Sequence, residues 1–301
     1  MAVKTTKQKL IEMIKGALTF LGFEIFFLAL FAFFTGAVQS RKGPIIAPDG
    51  SAVISTDIED FDSIFTSYIE NLYPGCSSGE VQIYKNVYLR TTFIKKKDLQ
   101  TLEQRSSFIH SYCRDKMKDA VPDGADVNDV IDAATCITIS DLSYDKEACI
   151  ENGDTVSQEQ GCYYSLTEGQ GKAVCASYAK YWKCLIDVVP FDEEGKVDWE
   201  EENPEHPATV LIVSNHKTGH EWNAVSVNGG DLVYYDVTNM DAGSVIDKYY
   251  SDMTIQDVSE RKLYMGSDEK ESKIVYSGSG VNEIVHLQNF AYKEPEKGTK
   301  E

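Results

Sequence analysis

The order of elements in the second half of the chain constrains the fold most. Apolar residues from Lys172 to Val188 recur at three- and four-residue steps, which predicts an amphipathic helix. Three β-rich runs separated by loops follow, at 208–214, 220–227 and 231–237. A helix followed by consecutive strands predicts an α+β fold.

The segments before this helix carry weaker signals. Apolar spacing predicts helices over 57–72, 98–117 and roughly 126–137. Alternation within 81–94 predicts a strand pair that turns at Lys85-Asn86. The polar stretch from 145 to Cys162 predicts a loop with short turns.

A long apolar run extends from Ala17 to Val38, with Glu24 as its one carboxylate. At about 1.5 Å per residue, a helix of this length crosses a bilayer. The lysines before the run favour a cytoplasmic amino terminus, so we expect a single-pass anchor at the cell membrane and an extracytoplasmic remainder. The alternative is a secreted domain, released by signal cleavage after Ala37, although the run exceeds the usual ~7–15 apolar residues of such peptides.

The chain is acidic, with a formal net charge of −19. An acidic surface repels phosphate backbones over a Debye length of roughly 8 Å, so we expect no nucleic-acid partner. The runs Asp192-Glu193-Glu194 and Glu200-Glu201-Glu202 lack the alternating pattern of a calcium loop. We therefore interpret them as solvated loops.

Seven cysteines follow the apolar run, at positions 76, 113, 136, 149, 162, 175 and 184. An odd number in an oxidising compartment leaves at least one thiol unpaired. We expect three disulfides and one free thiol, Cys175, and the spacing does not choose among the possible connectivities.

Cys175 stands directly after a glycine-rich loop, where the helix is expected to begin. Unpaired amide N–H groups and the helix dipole favour a thiolate over a thiol at that position. A nucleophilic thiol also needs a base that protonates the leaving amine and a third group that orients the base. His220 and Asp236, on consecutive predicted strands, are the candidates.

The turn between these strands decides whether His220 and Asp236 share a face of the sheet. A three-residue loop, Asn228-Gly229-Gly230, places Trp222 opposite Asp236 and His220 one diagonal step away on the same face. A two-glycine loop would instead pair Asn223 with Asp236 and put His220 on the other face. A catalytic triad therefore requires the longer turn.

A metal site is the other chemistry that these residues allow. Cys175, His216 and His220 could hold zinc, but zinc sites usually show more closely spaced Cys or His pairs. His216 is better interpreted as a surface residue, and we expect neither a metal nor a cofactor.

These motifs resemble those of the transglutaminase-like superfamily. Its bacterial members commonly show Gly-x-x-Val-Cys-x-Gly-Tyr-Ala, then His-x-Trp-Asn, then Asp-x-Thr. This chain has Gly171-Lys-Ala-Val-Cys175-Ala-Ser-Tyr178-Ala179, then His220-Glu-Trp222-Asn223, then Asp236-Val-Thr238. With Tyr144-Asp145, a pair that often precedes this core, the resemblance covers about residues 100–240. Ser177 stands where glycine is usual, and Asn239 stands where tryptophan often follows.

The resemblance implies a papain-like core, in which a helix bearing Cys175 packs on a small antiparallel sheet carrying His220 and Asp236. It also implies thiolate attack on an amide of a peptide, protein or cell-wall substrate, giving a thioester that water or an amine resolves. The enzyme would be a peptidase, an amidase or an acyltransferase. The backbone N–H of Cys175 and the side chain of Gln170 are candidate oxyanion donors. Trp222, Asn223 and Thr238 are candidate supporting residues.

The alternative function is a catalytically idle transglutaminase-like module that binds or scaffolds at the cell surface. Either function fits the same expected organisation of the chain. That organisation is a cytoplasmic segment 1–16, a transmembrane helix 17–38, a linker 39–56, a mostly helical part 57–160, a transglutaminase-like core 161–291 and a disordered tail 292–301.

Overall fold

The computed structural model describes residues 45–46, 52–55, 72–86, 91–150, 161–201, 206–215, 219–243, 245–260, 274–278 and 285–286. Helices and antiparallel sheet are both present, which confirms the predicted α+β class at that level. The predicted membrane span 17–38 and tail 292–301 lie outside these residues, as does almost all of the predicted helix 57–72. Among the residues described, no helix has the length and apolarity to cross a membrane.

The helices and strands of these residues follow in chain order. The α-helices are α1 (Lys96–Ala120), α2 (Val127–Asp141), α3 (Lys146–Ile150), α4 (Cys162–Leu166), α5 (Cys175–Asp187), α6 (Val237–Met240) and α7 (Ile255–Glu260). The strands are β1 (Ile45–Ile46), β2 (Ala52–Ser55), β3 (Ile83–Asn86), β4 (Thr91–Ile94), β5 (Ser143–Tyr144), β6 (Lys172–Ala173), β7 (Ala208–Asn215), β8 (His220–Val227), β9 (Val233–Tyr235), β10 (Ile274–Gly278) and β11 (Val285–His286).

Helix α5 is the centre of the core. Every residue from Cys175 to Ile186 is buried, because α1, α2, α4 and the strands β7 and β8 all pack against this helix. Two lysines on it are buried as well. Lys180 forms an ion pair with Glu221 at 3.0 Å, and Lys183 pairs with Asp187 on the same helix. These ion pairs allow charged residues to lie in an otherwise apolar helix.

The main sheet has the strand order β11-β10-β7-β8-β9 and is antiparallel throughout. Its two faces are both covered in the part formed by β7, β8 and β9. Val210, Val225 and Tyr235 belong to the core around α5. Val213, Trp222, Ala224 and Tyr234 pack on the other face with Met253 and Val258. Alternate residues of each strand therefore serve two separate cores.

Two long helices pack against α5 in addition to the sheet. The predicted helices 98–117 and 126–137 correspond to α1 and α2, each a few residues longer than predicted. Helix α2 begins with a capping box: the Asp126 carboxylate accepts the backbone N–H groups of Asn128 and Asp129, and Asp129 accepts that of Asp126. Such reciprocal bonds satisfy donors that the helix leaves unpaired.

The predicted turn at Lys85-Asn86 is wrong. Both residues belong to β3, which pairs with β4 so that Asn86 lies opposite Thr91. Alternation of apolar and polar residues does not indicate where the chain reverses, so the pattern predicts a turn at two residues that are paired within β3. These strands belong to a second sheet of order β1-β2-β4-β3, in which β1 and β2 come from the segment expected to be a linker.

Candidate active site

A tight loop leads into the helix that carries Cys175. Gly171 has a φ of +83°, and a β carbon at this position would lie 2.7 Å from the backbone oxygen of Asp141. Its N–H donates to Ser165 at 2.9 Å, and its carbonyl accepts from Ser143 at 2.8 Å. A glycine is required here because both the backbone conformation and the close approach exclude a side chain.

The residues just before Cys175 are held by a short parallel strand pair. β5 pairs with β6, with Ser143 opposite Lys172 and Tyr144 opposite Ala173. The Tyr144 ring also packs on Tyr178 of α5, with 6.5 Å between ring centroids. The Tyr144-Asp145 pair noted in the sequence thus lies against the entry to the helix.

His220 is the first residue of β8, and Asp236 directly follows the neighbouring antiparallel strand β9, at the same end of the strand pair. β8 pairs with β9 so that Asn223 lies opposite Tyr235. One step beyond the last paired residues, Trp222 comes opposite Asp236, which is the register of the three-residue turn. Nε2 of His220 lies 2.7 Å from Oδ2 of Asp236. The two side chains therefore share a face, as a triad requires.

Asp236 is fully buried and held by several donors. Its side chain caps α6, with Oδ1 accepting the backbone N–H of Asn239 at 3.2 Å. Its Oδ2 accepts from His220 and from the side-chain amide of Asn239 at 2.6 Å. The third predicted strand, 231–237, is shorter in the structure, where β9 covers only Val233–Tyr235. Val237 belongs to α6 instead, because the Asp236 carboxylate caps the start of that helix.

The imidazole of His220 contacts both other members of the candidate triad. Burial lowers its pKa, but the opposing effects of the Asp236 carboxylate and of the Cys175 side chain, to which it is hydrogen-bonded, raise it to about 10. Because Nε2 bonds to Asp236, Nδ1 is the ring nitrogen left for the thiol. The ring also stacks on Trp222, with 5.6 Å between centroids and 24° between planes. Packing and hydrogen bonding together fix its orientation.

Cys175 lies at the first position of α5 and is 8% exposed. Its Sγ lies 3.5 Å from the carbonyl oxygen of Gly219, the residue before His220. The side chain of His220 is 21% exposed, so more of the imidazole than of the thiol contacts solvent. Residues 216–218, which include the candidate ligand His216, lie outside the described residues.

The other candidate residues have different positions. Asn223 is fully buried and donates to the carbonyl of Ala179 at 3.0 Å, so it ties β8 to α5 from the face opposite His220. Thr238 lies half-buried in α6. Gln170 is exposed, with a φ of +52°, and none of the described contacts joins it to Cys175 or His220. An oxyanion role for Gln170 stays a prediction.

Two site residues stand at the positions where the chain departs from the usual motif. Asn239 donates to Asp236, as described above. Ser177 lies buried in α5, where its hydroxyl donates to the carbonyl of Gly161 at 3.3 Å and accepts from Ser165 at 3.4 Å. The Asp-x-x-Asn spacing after a strand is the signal that could have identified Asn239, because an aspartate that caps a helix reaches the residue three positions on.

The described part of the chain bears on the predicted disulfides and on the metal alternative. No group of histidine, cysteine and carboxylate side chains in it could hold a metal ion. Cys76, Cys113, Cys136, Cys162, Cys175 and Cys184 are free thiols, so the expectation of three disulfides finds no support among them. The side chain of Cys149 is not among those that the structure describes.

Comparisons with known proteins add little. No family model and no curated protein matches the chain. A solved structure described as "Crystal structure of a TGase" is similar at 14% sequence identity, with a TM-score of 0.31. The match covers 65% of this chain and 53% of that one, so this chain spans about half the length of that structure. A likeness this low does not place the chain in a family.

Proposed function

We propose that this chain is a transglutaminase-like cysteine enzyme that acts on amide bonds through a thioester. Cys175 is the nucleophile, His220 the general acid and base, and Asp236 the residue that orients the imidazole. The observation that carries the proposal is that His220 contacts the Cys175 side chain while its Nε2 bonds to a buried carboxylate at 2.7 Å. Such a chain of contacts is the arrangement that activates a thiol.

The reaction follows from these contacts. The Cys175 thiolate attacks the amide carbonyl and forms a C–S bond, and the oxyanion that develops faces the backbone N–H of Cys175 at the start of α5. Protonated His220 gives its proton to the leaving nitrogen as the C–N bond breaks, which releases an amine and leaves a thioester. Water or a second amine then attacks the thioester, gives its proton to neutral His220, and frees the thiolate.

The raised pKa of His220, about 10, means that the imidazole carries its proton at neutral pH. An imidazolium beside Cys175 stabilises the thiolate and is already protonated for the leaving group. Asp236 keeps this charge favourable because it is fully buried and ionic attraction is stronger away from water.

The test is the adduct formed by a peptide that carries an electrophile in place of the scissile amide. We expect intact mass and peptide mapping to show a single adduct on Cys175, lost in Cys175→Ala and strongly slowed in His220→Ala. A casein substrate with and without a fluorescent primary amine then separates amine incorporation from hydrolysis. Labelling spread over several cysteines, or unchanged by His220→Ala, would contradict the proposal.

The idle binding module is the second candidate, and the 8% exposure of Cys175 favours it. A module needs the fold but no turnover. It predicts a probe adduct that forms slowly, together with no product from any amide substrate in the presence or absence of an amine.

Membrane attachment through residues 17–38 is a proposal that rests on the apolar run in the sequence. Full-length protein should resist extraction from membranes by alkaline carbonate and carry its initial residues by intact mass. Release into the medium with loss of residues up to Ala37 would establish the secreted alternative instead.

A further inference from the structure

Four cysteines outside the candidate active site meet in the core. Cys76, Cys113 and Cys162 are fully buried and Cys184 is 3% exposed. They come from the segment before β3, from α1, from α4 and from α5, and we call them the thiol cluster. The mechanism proposed above uses none of them. Among the residues described, no group of cysteine, histidine and carboxylate side chains could hold a metal ion, and this includes the thiol cluster.

Within the thiol cluster, Cys184 is the side chain that acts most strongly on Cys162: after burial it is the first cause of the raised pKa of Cys162. Helix α4, which begins with Cys162, packs on α5, which carries Cys184. Cys76 is turned elsewhere, since its thiol donates to the carbonyl of Leu102 on α1 at 3.7 Å.

Gly75 contacts both the backbone and the sulfur of Cys162. The backbone N–H of Cys162 donates to the carbonyl of Gly75 at 2.9 Å. Gly75 has a φ of +81°, and a β carbon there would lie 2.8 Å from Sγ of Cys162. The sulfur is therefore buried against this turn, on a helix that packs on α5.

We propose that Cys162 and Cys184 form a disulfide in the mature protein. One thiolate attacks the disulfide of an external thiol–disulfide oxidant and forms a mixed disulfide with it. The second thiolate then attacks the protein sulfur of this mixed disulfide, which forms the Cys162–Cys184 bond and releases the oxidant. Two protons and two electrons leave the pair, and the oxidant is released as a dithiol. The other cysteines of the cluster, Cys76 and Cys113, remain thiols.

The timing of this step follows from burial. Burial raises the pKa of Cys162 well above its usual range, so the folded cluster exposes little thiolate to an oxidant. The bond therefore forms while α4 still approaches α5, before the cluster closes. Once formed, it closes a ring that contains the Gly171 loop, β6 and Cys175, and it constrains the segment that carries the candidate nucleophile.

The direct test maps the thiols of the full chain, expressed with its own amino-terminal segment and blocked with N-ethylmaleimide in denaturing guanidinium at lysis, so that buried free thiols are blocked as well. After denaturation, reduction and labelling with iodoacetamide, we expect Cys162 and Cys184 to carry the second reagent and Cys175 the first. An unreduced digest should contain one linked peptide pair. Both residues blocked by N-ethylmaleimide, or Cys162 linked to Cys76 or Cys113, would overturn the proposal.

Stability gives a second readout. Reduction should lower the thermal midpoint of the wild-type chain by several degrees, because it removes a constraint on the unfolded state. The Cys162→Ala/Cys184→Ala double variant should be insensitive to reductant, whereas Cys136→Ser, a change at an exposed thiol on α2, should keep the full response. An unaltered midpoint in reduced wild-type protein would contradict the bond. Neither readout depends on the reactivity of Cys175, so failure of the disulfide proposal can be distinguished from failure of the proposed function.

Discussion

Asn239 donates its side-chain amide to Oδ2 of Asp236 at 2.6 Å, beside the 2.7 Å hydrogen bond that the same oxygen makes with His220. The carboxylate is fully buried, so each donor compensates part of the cost of removing it from water. Asn239 thus has the position of a residue that orients Asp236, although it lies at the surface itself.

Asn239→Ala should lower both stability and thiol reactivity. Hydrogen bonds to charged groups contribute about 1.5–3 kcal/mol, and the exposure of Asn239 puts its share at the lower end, about 1–2 kcal/mol of unfolding free energy. We expect the rate of Cys175 alkylation to fall several-fold, because Asp236 holds the imidazole less firmly. Chemical denaturation and timed alkylation measure the two effects. Asn128→Ala, the same change at an exposed asparagine on α2, is the matched control and should change the alkylation rate little. Equal losses in both variants would contradict the assignment.

The stability of a chain that lacks the Cys175 thiol should depend on the protonation of His220, because no thiolate beside the imidazole then offsets its proton. The folded protein keeps this proton up to about pH 10, whereas an unfolded histidine loses it near its ordinary pKa of 6.5. Between these values the native state binds more protons, so the free energy of unfolding falls as pH rises. The contribution is complete below pH 6.5. Urea denaturation of Cys175→Ala should show this fall, and the Cys175→Ala/His220→Gln double variant should show a flatter profile over the same window. Parallel profiles in these two variants would argue against the raised pKa of His220.

The Gly171 loop offers a steric test with an internal control. Gly171 and Gly124 have nearly equal φ values, +83° and +82°, but a β carbon at Gly124 meets nothing within 4 Å. Gly124→Ala should cost about 1–2 kcal/mol for the left-handed backbone alone. Gly171→Ala should cost a further ~1–3 kcal/mol, because it also collides with the Asp141 carbonyl. Equal losses of unfolding free energy would show that the close approach is not limiting.

The ion pair of Lys180 with Glu221 should matter more than a surface pair. The side chains are 1% and 17% exposed, and Glu221 adjoins His220 on β8. Lys180→Met leaves a shielded carboxylate with one partner fewer, which should lower the unfolding free energy by about 1–3 kcal/mol. Lys196→Met removes a pair whose side chains are each 46% exposed and should cost less than about 1 kcal/mol. Denaturation midpoints compare the two variants, and a similar small loss in both would contradict a structural role for Lys180.

Strong local periodicity made part of the fold predictable. The residues of β8 were predicted without error, and α5 begins at Cys175, three positions later than the pattern indicated. The sequence left two turn lengths open between β8 and β9, and the structure has the register of the three-residue turn. These features depend on neighbours in sequence, and sequence patterns record such neighbours well.

The features that the sequence did not predict depend on distant contacts. The helical spacing around Lys180 does not reveal that its charge is buried, because Glu221 comes from a different element. The thiol cluster assembles from four separate segments, so spacing along the chain could not pair its members. Asn239 was interpreted only as a departure from a motif, and its role depends on the carboxylate that the fold places beside it.

The central claim is that His220 activates Cys175, and the alkylation of Cys175 by iodoacetamide at pH 6 tests it most directly. The imidazolium persists to about pH 10, so the wild-type thiol should react appreciably at pH 6 while the buried Cys162 and Cys184 remain unlabelled. His220→Ala should slow the labelling of Cys175 more than about tenfold, whereas His110→Ala, a change at an exposed histidine on α1, should leave the rate unchanged. Slow wild-type labelling that His220→Ala does not alter would contradict the enzyme and leave the binding module.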